Sequence, residues 1–531
     1  MTEGVIHSTL GAVLAQQAQK YGERSFLTFE GRDYSFAEID RRANRIANAL
    51  AARGVGKGDH VALFLGNHPE FLFLIGALAR LGAVAVPLNT AAKGELLDYF
   101  LRQSEARALV TDLSLLDRAQ PVAAKLAAIT DIIVVTEGQK ALPEGLTDFD
   151  SLDGPEGAPE VEVGYKDRMF LMYTSGTTGP SKGVMSPHSQ GLSVGAQVIA
   201  AYGYNEDDVI YTCLPLFHGN ALWYSLMPAL IAGARLVLSR RFSGSCFWEE
   251  ITACGATQAN ALGAMANIAL KEIGRLDRDK LKLRQMMVVP ALGQEAAQPL
   301  TEDLGIAVTS LFAQTETFAV TLHGPDEPAE KAGASGRARD HVKVTILDDD
   351  DNILPAGETG EIAVRPNAPG IMMDGYFRMP EETLKTMSTL WFHTGDRGYL
   401  DEDGYLYFVD RKKDAIRRRG ENISAYELEM IVCSHTAIRE AAAVAVPSEL
   451  GEDDVLVCLV LETGASFDPA EIIRFCDKNM PYFMVPRYLE VMEALPKTSS
   501  EKIEKYRLRE WAAEHMEKLW DREVAGITLK R

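Results

Sequence analysis

The chain alternates short runs of consecutive apolar residues with longer stretches in which apolar positions recur every three or four residues. His60-Val61-Ala62-Leu63-Phe64-Leu65 and Ala83-Val84-Ala85-Val86-Pro87 have the unbroken apolar character of strands buried on both faces, and Phe36 to Arg53 has the period of an amphipathic helix. Strands alternating with helices predict parallel sheets covered by helices up to about residue 400. The most apolar stretch, Phe71 to Pro87, is interrupted by Arg80 and Gly82, so it predicts a buried helix followed by a buried strand rather than a membrane span. From His341 to Pro366 the runs shorten and turn residues multiply. That predicts antiparallel hairpins, with the aspartates 348–351 in a turn rather than a metal site.

After the segment Gly404 to Asp414 the pattern restarts, with a helix over Ser424 to His435, strands over Ala441 to Val446 and near Val455 to Leu461, and a helix over Asp468 to Asn479. The expected architecture is multidomain. A large N-terminal domain, 1–411, combines α/β parallel sheets with a small β-barrel-like subdomain, and a small, mobile α+β domain spans 412–531. A length of 531 residues agrees with more than one domain, since single cores stop growing at roughly 250–300 residues.

Composition narrows the function by exclusion. A net charge of -21 disfavours a general nucleic-acid surface, which needs clustered Lys and Arg. Arg411-Lys412-Lys413 and Arg417-Arg418-Arg419 stand out against it; such runs are more often a solvated face than a site. The six cysteines are widely spaced without a CxxC pair, and no basic region followed by an apolar segment opens the chain, so a reduced, cytoplasmic protein without a membrane segment is expected.

The strongest chemical signal is Met169 to Val184, MFLMYTSGTTGPSKGV, an apolar run that discharges into a loop dense in Gly, Ser and Thr with one lysine. Glycines let backbone N–H groups approach phosphate, hydroxyls add donors, and Lys182 adds a positive charge. Gly/Ser-rich stretches are commonly flexible surface loops. Here consecutive threonines, a proline and a lysine tied directly to a strand make phosphate binding the better reading. A P-loop kinase fails on spacing, because that pattern needs Gly, four residues, then Gly-Lys-Ser/Thr, whereas the fifth residue after Gly176 is Ser181 and Lys182 precedes Gly183.

At this loop the chain resembles the adenylate-forming superfamily of acyl-CoA synthetases, peptide-synthetase adenylation domains and firefly-type luciferases, whose pattern YTSGTTGxPKG is matched except that Ser181 stands for the second proline. The resemblance continues in order through PLFHGNAL (215–222), SLFAQTET (310–317), GETGEIAVRP (357–366), GYFRMPEET (375–383), Trp391 to Ser424, and LPKTSSEKIEKYRLR (495–509). It implies ATP, magnesium and coenzyme A as cofactors and the following roles. Thr174, Ser175, Gly176, Thr177, Thr178, Lys182 and Thr315 meet phosphate; Phe312, in place of the usual tyrosine, stacks on adenine; Glu316 holds magnesium; Asp396 and Arg411 hold ribose. Lys502 catalyses adenylation, although Glu501 stands where the family has glycine. His218 gates the acyl pocket, Trp223 lines that pocket or fills core, Lys413 is the interdomain hinge, and Arg419 with Gly420 receives coenzyme A.

The expected reaction is activation of a carboxylic acid as an acyl-adenylate, then acyl transfer to coenzyme A. A peptide-synthetase module would continue into a carrier domain, whereas residues 503–531 alone follow Lys502. A stand-alone enzyme serving a separate carrier protein and a non-catalytic nucleotide-binding regulator are the alternatives. GENIS (420–424) and PLFHGNAL look closest to crotonobetaine/carnitine-CoA ligases and to bacterial fatty-acid or steroid side-chain synthetases, and Ala259 to Lys271 is expected to give a pocket wall of small residues. The partner is a small-molecule acid, with no nucleic acid and room for a homodimer.

Overall fold

Apolar runs without polar interruption become strands where neither face meets water, and His60–Phe64 is the clearest case. Every residue of it is buried, and it pairs in parallel with Val84–Pro87 on one side and Ala108–Asp112 on the other, both equally buried. The computed structural model describes residues 2–138, 142–174, 180–411, 415–448, 451–497 and 503–529, with the side chains at 2, 3, 264, 318, 410, 411, 415 and 426 also outside the description. By contacts the chain forms two units: Met1–Thr90, Leu101–Tyr173 and Gly183–Asp410 make the first, and Ala91–Phe100, Thr174–Lys182 and Arg411–Arg531 the second.

Among the described residues the first unit is built on three sheets. The seven-stranded sheet just entered runs in the order 147–148, 131–135, 108–112, 60–64, 84–87, 168–174, 182–187. A nine-stranded sheet runs 337–338, 318–323, 307–314, 285–289, 258–262, 209–212, 235–238, 25–29, 32–35, parallel through its middle and antiparallel at both margins. A four-stranded sheet, 342–347, 360–366, 392–400 and 406–411, holds the hairpin expected after His341. At its tip the Asp348 carboxylate accepts the N–H groups of Asp350 and Asn352, so the aspartate run is a turn.

Helix Phe36–Ala52 starts where the Ser35 hydroxyl accepts the Glu38 N–H, and it buries Phe36, Ile39, Ala43, Ile46, Ala47 and Leu50 at helical spacing. Full burial of each larger member contributes roughly 1.5–3 kcal/mol. It packs on helix Pro69–Leu81, where Gly76 lies so close to Ala43 that a Cβ there would sit 2.9 Å from the Ala43 methyl. The two residues that interrupt the apolar stretch both have reasons. Gly82 ends the helix at φ +62, which glycine adopts without strain. Arg80 is 8% exposed, donates to the Gly76 carbonyl and pairs with Asp40, which neutralises the charge that burial penalises.

In the second unit a hairpin of Ala415–Arg418 and Glu421–Ser424 leads into helix Ala425–Cys433. Strands Ile438–Pro447, Asp453–Leu461, Tyr488–Val491 and Trp520–Asp521 then form a sheet of their own, with helix Pro469–Asn479 inserted before the third. Its core of Ala442, Val444, Leu456, Cys458 and Leu508 is separate from that of the first unit.

Candidate active site

Strands Ala307–Gln314 and Phe318–His323 pair antiparallel around a tight turn, closed by the Gln314 N–H donating to Thr317 Oγ1 at 3.3 Å and the Thr317 N–H donating to the Gln314 carbonyl at 3.2 Å. The register slips between Phe312 and Ala313, and a bulge of this kind re-aims the side chains beyond it. Phe312 is 6% exposed and stacks at 6.4 Å on Phe408, which is 40% exposed. Thr315 and Glu316 lie in the turn itself.

Glu316 is held at both ends. Its carbonyl accepts the Met373 N–H at 3.0 Å and Gln190 Nε2 at 3.2 Å, and its carboxylate Oε1 accepts the Tyr376 hydroxyl at 2.8 Å. Burial, and after it the Glu316 charge, hold the Tyr376 phenol protonated far above the usual range, so it remains a donor. Tyr376 is fixed in turn, because residues 374–377 run alongside Gly183–Met185 with hydrogen bonds of 2.8–3.0 Å. A single hard carboxylate suits magnesium, which is bound through one or two carboxylates together with substrate phosphates.

Asp396 lies in strand Phe392–Leu400 and is 3% exposed. Gln314 Nε2 donates to its Oδ2 at 2.8 Å and to the Thr394 carbonyl at 2.9 Å, tying the turn of one sheet to a strand of another. The structure thus brings Phe312, Thr315, Glu316 and Asp396 together through Gln314. Gln314 and Tyr376 carry no role expected from the sequence, although both lie within the motifs 310–317 and 375–383.

Thr174 closes strand Arg168–Thr174 and Lys182 opens strand Lys182–Pro187. Ser175, Gly176, Thr177 and Thr178 lie outside the described residues, as do Lys413 and Lys502; Arg411 closes strand Leu406–Arg411, and its side chain is outside the description. His218 precedes a short helix and its ring meets Phe217 at 4.7 Å. Trp223 is 1% exposed, and a Cβ on Gly191 or Gly219 would lie 2.1 or 2.8 Å from its ring. Ala259 to Lys271 forms strand Gln258–Leu262 and helix Gly263–Lys271, with Ala259, Ala261, Ala266 and Ala269 in the core.

In the second unit the three adjacent arginines separate. Arg418 is 2% exposed, with Nε 2.8 Å from Asp454 Oδ1 and Nη1 donating to the Val485 carbonyl at 2.8 Å; burial lowers it to about 10. Its guanidinium belongs to the interior. Arg419 and Gly420 form the two-residue hairpin turn with φ +55 and +80, a geometry glycine takes freely. The Gly420 N–H donates to the Glu452 carboxylate.

The profile of the AMP-binding enzyme family matches residues 14–377, and that of the AMP-binding enzyme C-terminal domain matches 427–502. The chain belongs to the AMP-binding enzyme family, a family of AMP-forming ligases. Crotonobetaine/carnitine–CoA ligase of Salmonella enteritidis PT4 is 32% identical over 500 residues, covering 92% of this chain and 96% of the relative. An o-succinylbenzoate CoA synthetase from Bacillus subtilis, bound with a product analogue, superposes with a TM-score of 0.82 at 28% identity, covering 94% of this chain and 98% of that one. The Mycobacterium tuberculosis fatty acyl CoA synthetase does so at 0.68 and 27%, covering 95% and 98%. Among the described residues no helix is long and apolar enough to cross a membrane.

Proposed function

We propose that this protein is an acyl-CoA synthetase that uses ATP to convert a small-molecule carboxylic acid to an acyl-adenylate and then to a coenzyme A thioester. In the first step a carboxylate oxygen attacks the α-phosphorus and the bond to pyrophosphate breaks. In the second the coenzyme A sulfur attacks the acyl carbonyl, AMP leaves with the bridging oxygen, and the thiol proton passes to solvent. The observation that carries the reading is the Gln314 bridge: a buried acid suited to two ribose hydroxyls, Asp396, stands beside a turn bearing an aromatic ring, a hydroxyl and a tethered carboxylate.

In this reading Phe312 stacks on adenine, Asp396 and Arg411 accept and donate at the ribose, and Thr174 to Thr178, Lys182 and Thr315 hold phosphate. Glu316 would hold magnesium, which supplies positive charge beside the phosphates. Tyr376 keeps the Glu316 carboxylate aimed, and Lys502 offsets the charge that develops at the α-phosphate. Arg419 and Gly420 receive coenzyme A, and Lys413 is the hinge between the steps. His218 gates the passage between the acyl pocket and the active site. The enzyme works in the cytoplasm on an acid drawn from the range its relatives suggest. Pyrophosphate release measured with ATP, magnesium, coenzyme A and a panel of quaternary-ammonium, medium-chain and aromatic acids tests this: release should require one class of acid, and release with none of them sinks it.

A further inference from the structure

Asn67 lies outside the sequence motifs, yet its side chain is fully employed. It follows strand His60–Phe64 of the seven-stranded sheet, is 4% exposed, and reaches across to the nine-stranded sheet within the first unit. Its Nδ2 donates to the Leu214 carbonyl at 2.9 Å and to the Ser239 carbonyl at 2.8 Å, and its Oδ1 accepts the Leu216 N–H at 2.9 Å. An asparagine amide offers two N–H donors and an acceptor, so one side chain satisfies three backbone groups, two of them on the buried residues Leu214 and Leu216. These groups stand just beyond the carboxyl ends of Val209–Thr212 and Arg235–Leu238, strands that pair in parallel. In open parallel sheets, ligands sit outside the carboxyl ends of the strands.

The clamp ends two residues short of His218. Asn67 fixes the backbone on either side of Pro215, the Pro215 carbonyl accepts the His218 N–H at 3.0 Å, and the His218 carbonyl accepts the Leu222 N–H at 3.2 Å as the helix begins. On the other side of His218, Gly219 is pressed against Trp223, where a Cβ would lie 2.8 Å from the indole ring. The imidazole is thus carried by a backbone held both before and after it. We infer that Asn67 is a positioning residue for the reaction: it acts not on the substrate but by setting the backbone that aims the His218 ring at the passage between the acyl pocket and the active site. The inference rests on the role proposed for His218, and it adds a residue 151 positions away that no motif includes.

A double-mutant cycle on the full-length protein tests it, with pyrophosphate release measured on whichever quaternary-ammonium, medium-chain or aromatic acid the wild type accepts best. Asn67→Ala should lower kcat/KM for that acid about tenfold, the effect of a small misplacement near the reacting groups. AMP affinity, measured by calorimetry, should stay as in wild type, because Phe312 and Asp396 are carried by other strands. In a His218→Ala background the same change should cost less than about threefold, since the ring that Asn67 positions is gone. A purely structural defect would recur in both backgrounds, so the cycle separates positioning from packing. Asn67→Asp keeps the size and the acceptor for the Leu216 N–H while losing the donors; it goes through the same cycle and decides should the alanine variant fail to fold. A loss above about threefold in the His218→Ala background, no loss in the wild-type background, or weakened AMP binding overturns the inference and leaves the proposed function standing. A wild type that releases pyrophosphate with none of the acids overturns both.

Discussion

Asp396→Asn removes one negative charge from the floor of the proposed ribose site with almost no change of shape. Gln314 Nε2, 2.8 Å from Oδ2, will hold the asparagine oxygen toward itself and leave the amide nitrogen facing the sugar. Hydrogen bonds to a charged partner contribute about 1.5–3 kcal/mol and neutral ones about 0.5–1.5. Two ribose hydroxyls moved from the first class to the second lose about 2 kcal/mol, roughly 30-fold in affinity. Because Asp396 is only 3% exposed, solvent screening does little to reduce this. Titrating AMP and 2′,3′-dideoxy-AMP into wild type and variant isolates the effect: AMP should weaken about 30-fold, and the dideoxy nucleotide, which has no hydroxyls to lose, should bind both proteins alike. Equal weakening of the two nucleotides would assign the loss to disturbed packing and refute the ribose role.

Glu316→Gln should raise the magnesium concentration needed for half-maximal pyrophosphate exchange about tenfold with little change in thermal stability, since one charged oxygen ligand becomes neutral; an unchanged magnesium curve moves the metal elsewhere. Lys502→Ala should abolish adenylate formation while thioester formation from pre-formed acyl-adenylate continues, and equal loss of both half-reactions counts against that lysine. His188 is 2% exposed, accepts the Leu10 N–H at Nδ1 and is lowered by burial to about 4. The unfolded chain takes up the proton near the ordinary value of about 6.5, so the stability is complete above that pH and is lost as pH falls toward 4, by about 3 kcal/mol. His188→Asn, whose side-chain oxygen can still accept from Leu10, should flatten that part of the pH profile of thermal unfolding, and an identical acid slope would refute it.

Much of the fold was legible because burial writes itself into periodicity. The apolar run at 60–65 reads as a strand buried on both faces and is one, and the spacing from Phe36 to Arg53 marks the helix now seen at Phe36–Ala52. The site was legible only as motifs. Nothing in SLFAQTET distinguishes Gln314 from a surface glutamine, because its work is to reach Asp396, 82 positions away. Tyr376 likewise gains meaning only from the close approach of residues 374–377 to the strand after Lys182. Three consecutive arginines look alike in a sequence, yet strand alternation and a turn sort them: Arg418 points inward to Asp454 and Arg419 sits on the turn. Membership of segments 91–100 and 174–182 in the second unit was not legible at all, because it follows from contacts between distant parts of the chain.

The central claim is that the acid passes through an adenylate, and positional oxygen labelling tests it most directly. The purified protein would turn over an accepted acid carrying oxygen-18 in its carboxylate, with ATP, magnesium and coenzyme A, and the nucleotide products would be weighed by mass spectrometry. The account predicts AMP carrying one labelled oxygen for each thioester formed, with unlabelled pyrophosphate as the other product. Label appearing in inorganic phosphate beside ADP, or thioester formed with unlabelled AMP, would contradict it.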